Sequence, residues 1–167
     1  MITEEEAKKL TIDEIRELEW DRIRDASFRV REIIGRKIYD SISRIPHEYT
    51  NGQFDSFDAS ATAKTSTFNI EIKYRFILRE KYDDKGYYLE KIKYDALMDA
   101  YKETGSIPLF FTFIRGGVGY YWDLRKLNPV WKWELATSTS ANGTYGEKKE
   151  LKEVCHPFPS EGVEISW

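Results

Sequence analysis

The chain has 167 residues, of which 41% are hydrophobic, 33% are charged and 15% are aromatic. Disordered proteins contain few aromatic residues, so this composition excludes a wholly disordered chain, and the length fits one domain. No run of about 18 apolar residues is present, which argues against a membrane-spanning helix. One cysteine and two histidines are too few for a disulfide framework, a cysteine-based zinc site or a multi-histidine metal site.

The charge balance is slightly acidic. There are 26 Lys and Arg residues against 29 Asp and Glu residues, which gives a net charge of −3. Proteins that hold nucleic acid usually carry a basic excess, so a nucleic-acid role here requires local clustering of basic residues. Such residues cluster in residues 22–44 and again in residues 73–81. The acidic amino-terminal segment lacks the pattern of a secretory signal, which indicates a cytoplasmic protein.

The first third of the sequence predicts one long helix that ends before Pro46. Thr11 and Glu14 form a capping box, which marks the start of a helix. Apolar residues then recur at helical spacing, namely Ile12, Ile15, Leu18, Ala26, Val30 and Ile33. Residues 47–53 are polar and predict a loop.

Two strands are predicted next, over residues 54–63 and 67–78. Apolar and polar residues alternate in both runs, so each strand has one buried face, and the short connection indicates a hairpin. A register that pairs apolar residues with one another places Phe57 opposite Ile72, Ala59 opposite Ile70 and Ala61 opposite Phe68.

The remaining elements are a helix, two strands and a tail. The helix is predicted over residues 88–103 and stops at Gly105. The apolar run 109–114 predicts a central strand, and a glycine turn leads to a strand over residues 118–124. The tail predicts a flexible loop over 137–147 and an edge strand in residues 150–167. The inner stripe of the helix is expected to contain Leu89, Ile92, Ala96 and Ala100. This order predicts an α/β (α+β) fold with a central mixed β-sheet flanked by helices.

The predicted hairpin brings two acids and a lysine together. Its register places Asp58 opposite Glu71, on the face that also carries Lys73. Directly opposed Cβ atoms lie about 4.5–5.5 Å apart. Two carboxylates this close repel unless a divalent cation or a shared proton relieves them. Asp55 is the alternative first acid, since a bulge between Asp55 and Asp58 would reverse the choice.

An acid followed by Glu71, Ile72 and Lys73 across a hairpin resembles the PD-(D/E)XK nuclease superfamily, the restriction-endonuclease-like fold. The resemblance covers about residues 12–124 and implies a core of α-β-β-α-β order. It implies that Asp58, Glu71 and the Ile72 carbonyl bind Mg²⁺ (or Mn²⁺), while Lys73 positions or activates the attacking water. The implied partner is DNA, with RNA as an alternative and no membrane.

Further residues are similar to features of that superfamily. Glu90 and Tyr94 resemble the Gln-X-X-X-Tyr motif of its RecB-like exonuclease branch, with Glu in place of Gln. Their spacing would place both on one helix face. Substrate contacts are then expected from Glu90, Tyr94, Lys93 and Arg75. Many members of the superfamily add a glutamate from the first helix, for which Glu19 and Glu32 are the candidates.

We therefore expect a single nuclease-like domain over residues 1–167, with 129–167 as a carboxy-terminal extension. Its expected activity is Mg²⁺-dependent hydrolysis of DNA, in the setting of a phage or mobile element, with exonuclease and endonuclease action both open. The alternative is a non-catalytic protein- or nucleic-acid-binding module on the same fold. A third alternative is an unrelated domain in which Glu71 and Lys73 form an exposed ion pair worth under about 1 kcal/mol. The oligomeric state is open, a homodimer included.

Two other groups of residues have a functional and a structural interpretation. The aromatic runs 120–122 and 131–133 are able to stack on unpaired bases, although aromatic strand residues more often pack in a core or at a sheet edge. Cys155 and His156 are a nucleophile and a base in sequence, but neighbouring residues rarely adopt the geometry of a catalytic pair.

Overall fold

The first third of the chain forms short helices in place of one long helix. A computed structural model describes residues 1–51, 55–76, 79–139 and 145–167. The predicted capping box is confirmed, since Thr11 Oγ1 accepts from the Glu14 N–H at 3.2 Å and the Glu14 carboxylate accepts from the Thr11 N–H at 2.7 Å. However, new amino-terminal caps at Glu19 and Ser27 interrupt the helix. The helices are α1 (Glu4–Lys9), α2 (Ile12–Arg16), α3 (Trp20–Ile23) and α4 (Phe28–Ile42).

The described strands form two sheets. The larger sheet is mixed, because β3 and β5 are parallel whereas its other neighbouring strands are antiparallel. In chain order the strands are β1 (His47–Tyr49), β2 (Ala59–Ala63), β3 (Ser66–Arg75), β4 (Leu89–Glu90), β5 (Ile107–Ile114), β6 (Val118–Asp123), β7 (Lys132–Thr139), β8 (Tyr145–Cys155) and β9 (Val163–Ser166). The larger sheet has the order β1-β2-β3-β5-β6-β9 and the smaller one the order β4-β8-β7. The predicted central mixed sheet flanked by helices is confirmed.

The hairpin of β2 and β3 has the predicted register. Ala59 lies opposite Ile70 and Ala61 lies opposite Phe68. Residues 55–58 are not part of the strand, and Phe57 packs into a hydrophobic cluster different from the one that contains Ile72. The predicted pairing of Phe57 with Ile72 is therefore wrong. The predicted strand ends at residues 54 and 78 lie outside the described residues.

The segment after α4 is a strand where a loop was predicted. Residues His47–Tyr49 form β1, which pairs antiparallel with β2 and places His47 opposite Ala61. The side chain of Tyr49 supports this position by donating a hydrogen bond to Asp40 Oδ1 at 2.7 Å. Three residues are too few to show a periodic pattern, so no sequence signal predicts this edge strand.

Between β3 and β5 the chain forms the helices α5 (Glu80–Asp83) and α6 (Lys91–Thr104). The predicted inner stripe of α6 is wrong at two positions, because Leu89 belongs to β4 and Ile92 is 72% exposed. Leu97 is the buried residue of this helix. The predicted stop at Gly105 is confirmed, since this residue caps the helix at φ +75°, where glycine is favoured.

The two faces of the larger sheet bury separate hydrophobic clusters. One lies between the sheet and the amino-terminal helices and contains Ile34 and Ile72. The other lies on the side of α6 and contains Leu97, Phe110 and Trp122. Side chains alternate between the faces of β3, so its polar residues project toward the side of α6. This alternation positions the candidate site.

The tail builds the smaller sheet and one edge of the larger sheet. Strands β7 and β8 pair antiparallel, and Glu134 lies opposite Lys152. Residues 137–139 and 145–147 are strand, so the predicted flexible loop is wrong there, while 140–144 lie outside the described residues. The predicted edge strand is confirmed, because β9 pairs with β6 at the end of the larger sheet. Within the described parts of the chain, no helix combines the length and the apolar character needed to cross a membrane.

Candidate metal and nucleic-acid site

Glu71 is a fully buried carboxylate in the middle of β3, with 0% of its surface exposed. Lys73 Nζ lies 2.6 Å from Glu71 Oε1, and Lys93 Nζ lies 3.4 Å from Oε2. Neither contact has the angles of a hydrogen bond, so both carboxylate oxygens keep unused acceptor capacity. Burial raises the pKa of Glu71 against the attraction of Lys73, and the charge of Asp58 raises it further.

Asp58 lies directly before β2, where continuation of the register places it opposite Glu71. Its Oδ2 accepts a hydrogen bond from the Ile72 N–H at 2.7 Å. The N–H and C=O of one strand residue point toward the same neighbouring strand. The Ile72 carbonyl is therefore directed to the side of Asp58, beyond the end of β2. Asp58 and the backbone of Ile72 thus lie next to Glu71 at this end of the hairpin, and the charge of Asp58 acts on the Glu71 carboxylate.

Lys73 reaches from the same face of β3 toward solvent, with 23% of its side chain exposed. Burial alone would lower its pKa, but the charges of Glu71 and Asp58 raise the pKa above the usual value for lysine. The side chain is thus an ammonium ion at neutral pH. Its Nζ also lies 5.6 Å from the centre of the Phe28 ring at the start of α4.

A cavity of about 440 Å³ lies beside Lys73. Its walls come from α4, from the end of β3, from β4 and α6, and from the smaller sheet. Basic side chains outnumber acidic ones on these walls, which favours an anionic ligand. The basic residues include Arg31, Lys73, Arg75, Lys81, Lys93 and Lys152, and the acidic ones are Glu32, Asp58, Glu90 and Glu134.

Two of the expected substrate-binding residues line this cavity through their basic side chains. Arg75 donates a hydrogen bond from Nη2 to the Tyr88 carbonyl at 2.9 Å. Lys93 donates from Nζ to the Asp55 carbonyl at 2.8 Å. Asp55 itself is not on the cavity wall, whereas Asp58 is. Of the two alternative acids, the fold thus places Asp58 at the cavity.

Glu90 and Tyr94 do not form the expected pair on one helix face. Glu90 is the residue that caps α6, so it lies before the helix, and its Oε1 contacts Lys152 Nζ at 3.0 Å. Tyr94 packs on the second hydrophobic cluster, with its ring centre 5.2 Å from that of Trp131. Glu90 lines the cavity and Tyr94 does not. The predicted common face is wrong because the helix begins one residue after Glu90.

The two candidate glutamates from the amino-terminal helices occupy different places. Glu19 is exposed at the start of α3 and does not line the cavity. Glu32 does line it, from α4. Its carboxylate is held by Arg36 at 2.6 Å and by Arg29 at 3.0 Å. The fold thus brings Glu32 to the site, where the two arginines neutralise its charge.

Sequence reasoning missed the residues that the tail contributes. Glu134, Lys152 and His156 line the cavity from the smaller sheet, and His156 Nε2 lies 2.9 Å from Glu134 Oε1. Cys155 is buried, and burial raises the pKa of its thiol to about 12, so it is not an activated nucleophile. These wall residues follow no motif, and the pairing of β4 with β8 helps to bring them to the site.

The donor atoms fit a hard divalent cation. Among the side chains that the structure describes, no three His, Cys, Asp or Glu residues lie close enough together to form a metal site. Mg²⁺ needs fewer, because it keeps several waters and is usually bound by one or two carboxylates. The unused acceptor capacity of Glu71, with Asp58 and the Ile72 carbonyl beside it, is an all-oxygen set of this kind.

Comparison with known proteins gives similarities in structure but none in sequence. No protein-family model and no curated protein sequence matches the chain. The fold is similar to that of Hjc, a Holliday junction resolvase from Archaeoglobus fulgidus, with a TM-score of 0.46 and 13% sequence identity. The match covers 78% of this chain and 92% of the Hjc chain. At this level of similarity, no function is transferred from Hjc to this chain.

Proposed function

We propose that this protein is a Mg²⁺-dependent (or Mn²⁺-dependent) nuclease that hydrolyses DNA phosphodiester bonds at Asp58, Glu71 and Lys73. The observation that carries the proposal is the fully buried Glu71 carboxylate, which is paired with Lys73 and Lys93 beside a basic cavity but accepts no hydrogen bond among the described residues. A buried charge of this kind is costly for the fold. Its presence beside a second carboxylate and a lysine supports a role in binding or catalysis.

Each residue has a distinct role in this proposal. The carboxylates of Asp58 and Glu71 and the carbonyl of Ile72 would hold the cation. When bound, it polarises the scissile phosphate and makes hydroxide available near neutral pH. Lys73, as an ammonium ion, orients the attacking water and stabilises the negative charge that grows on the phosphate.

The surrounding wall fits a DNA ligand. Arg75 and Lys93 lie beside the proposed metal ligands and would hold the phosphates on either side of the cleaved bond. We also propose that residues 1–167 form one nuclease-like domain. Its core spans about residues 12–124, and the extension over 129–167 supplies the smaller sheet.

The experiment is cleavage of linear, circular and single-stranded DNA, and of RNA, in Mg²⁺ or Mn²⁺. We expect metal-dependent cleavage by the wild type and a loss of about 10²–10³-fold in Lys73→Ala and Asp58→Asn. Lys102→Ala is the matched control, because Lys102 is an exposed lysine of α6 outside the cavity. Melting temperatures of all variants should stay within a few degrees of the wild type.

A non-catalytic protein- or nucleic-acid-binding module on the same fold is the second candidate. It is favoured because no three metal-ligating side chains cluster among the described residues. This candidate would be supported if the folded protein bound DNA, cleaved none of the substrates in either metal, and kept its affinity in Asp58→Asn.

A further inference from the structure

Two aromatic side chains line the cavity without belonging to either hydrophobic cluster of the described residues. Phe28 is the first residue of α4 and is only half-buried. Its ring lies beside the ammonium group of Lys73, 5.6 Å from Nζ. Phe28 is thus an aromatic residue at a charged cavity wall rather than in a core, with the Lys73 ammonium over its ring.

Tyr88 is the second aromatic residue of the wall. Its ring centre lies 5.9 Å from the Arg75 guanidinium and 6.0 Å from the ring centre of His156, in an edge contact. The Tyr88 hydroxyl is buried and has no hydrogen-bond partner among the described residues. The neighbouring side chains thus hold the ring in place. Among the described residues, no hydrogen bond to the hydroxyl accounts for a tyrosine rather than a phenylalanine at this position.

The smaller sheet contributes one wall of the cavity. Backbone pairing of β4 with β8 places Glu90 opposite Val154, and the Lys152–Glu90 ion pair at 3.0 Å adds a side-chain link. The candidate site borders this cavity through Asp58 and Lys73, and the cavity volume of about 440 Å³ falls in the usual range of pockets for single small ligands.

An unpaired strand fits these walls better than a duplex. In a duplex the bases are stacked inside the helix, and reaching them costs unstacking energy. A single strand presents the face of each base, and proteins bind it by combining a basic groove with aromatic rings on which bases stack. Both components are present on the walls of this cavity.

We propose, on the basis of the nuclease function proposed above, that the substrate is a DNA strand that is unpaired at the cleaved bond. Its bases stack on Phe28 and Tyr88. Its phosphates contact the basic side chains of the walls, Lys152 of the smaller sheet included. Because every base has a face that can stack, cleavage has little sequence preference.

The test measures binding without cleavage. Fluorescence anisotropy in EDTA compares a labelled single-stranded oligonucleotide with the duplex of the same sequence. We expect the wild type to bind the single strand at least about tenfold more tightly. Phe28→Ala and Tyr88→Ala should each weaken single-strand binding by about 5- to 100-fold. Phe28→Tyr and Tyr88→Phe should retain the wild-type affinity, because both keep an aromatic ring.

Phe158→Ala is the matched control, since Phe158 is 42% exposed and does not line the cavity. It should bind as the wild type does. If Phe28→Ala proves unstable, Phe28→Leu keeps an apolar side chain of similar volume and should also bind weakly. Equal or tighter binding of the duplex, or wild-type affinity in the alanine and leucine variants, would overturn the proposal.

Cleavage assays separate this inference from the nuclease function. If single-strand preference depends on Phe28 but no substrate is cleaved in Mg²⁺ or Mn²⁺, the strand-binding inference stands and the nuclease function fails. If duplex DNA is cleaved as fast as single strands, in a reaction that needs Lys73 but not Phe28, the nuclease function stands and the inference fails.

Discussion

Glu71 couples the stability of the fold to pH, because its carboxylate is shielded from water and its pKa is raised by burial. A carboxyl whose pKa is higher in the folded state contributes stability that is complete below its ordinary value of 4.5. That contribution is lost as the pH rises through the folded-state pKa. Above the folded-state pKa, the protein therefore carries the full cost of the buried charge.

We expect Glu71→Gln to be more stable than the wild type at pH 8 in EDTA, by about 1–2 kcal/mol or 2–8 °C. The difference should shrink as the pH falls toward 4.5. Lys73 and Lys93 tolerate the change, because 23% and 26% of their side chains are exposed. Glu48→Gln, at an exposed glutamate of β1, is the control and should change neither stability nor its pH dependence. A lower melting temperature for Glu71→Gln at pH 8 would show that the ion pair is structural.

Among the elements, α4 and β3 pack closely at Gly35, where an added Cβ atom would lie 3.2 Å from Ile72 Cγ2. Removing a helix glycine gains up to about 1 kcal/mol, but overpacking a core costs about 1–3 kcal/mol. We expect Gly35→Leu to destabilise the protein by about 2 kcal/mol and to lower cleavage, because it displaces the strand between Glu71 and Lys73. Urea unfolding measures the loss of stability. The stability of Gly35→Ala should lie between that of the wild type and that of Gly35→Leu. Wild-type stability in Gly35→Leu would contradict this view of the contact.

The same elements explain how far the sequence predicted the fold. The register of the hairpin followed from apolar pairing, such as Ala59 with Ile70, and the acids and lysine of the site lie on that one hairpin. The breaks in the first helix did not follow from the sequence. Helical spacing of apolar residues such as Ile15 indicates which side chains are buried, but not whether the helix is continuous. Strands β7 and β8 were missed because Leu135 and Leu151, paired on one face, are 64% and 65% exposed. Residues of the tail reach the site through tertiary contacts that no local pattern encodes.

For the whole molecule, the net charge of −3 and the basic cavity act in opposite directions on DNA. The remaining surface repels a polyanion, so binding must depend on the few phosphates that enter the cavity. For single strands, log K falls with log salt by about 0.7 per phosphate neutralised. A protein with few such contacts should show a shallow salt dependence, in contrast to one with a broad basic surface.

Lys81 and Lys85 test this description, because both are exposed lysines on the cavity wall. If each neutralises one phosphate, the double variant Lys81→Ala/Lys85→Ala should reduce the slope of log K against log salt by about 1.4 for a single-stranded oligonucleotide. Its affinity should fall most at low salt and approach that of the wild type at high salt, where counterion release contributes less. The control is Lys102→Ala/Lys126→Ala, which removes the same charge from exposed positions outside the cavity. Equal changes of slope in both double variants would mean that DNA responds to the overall charge of the protein, and the cavity would then not be where the phosphates bind.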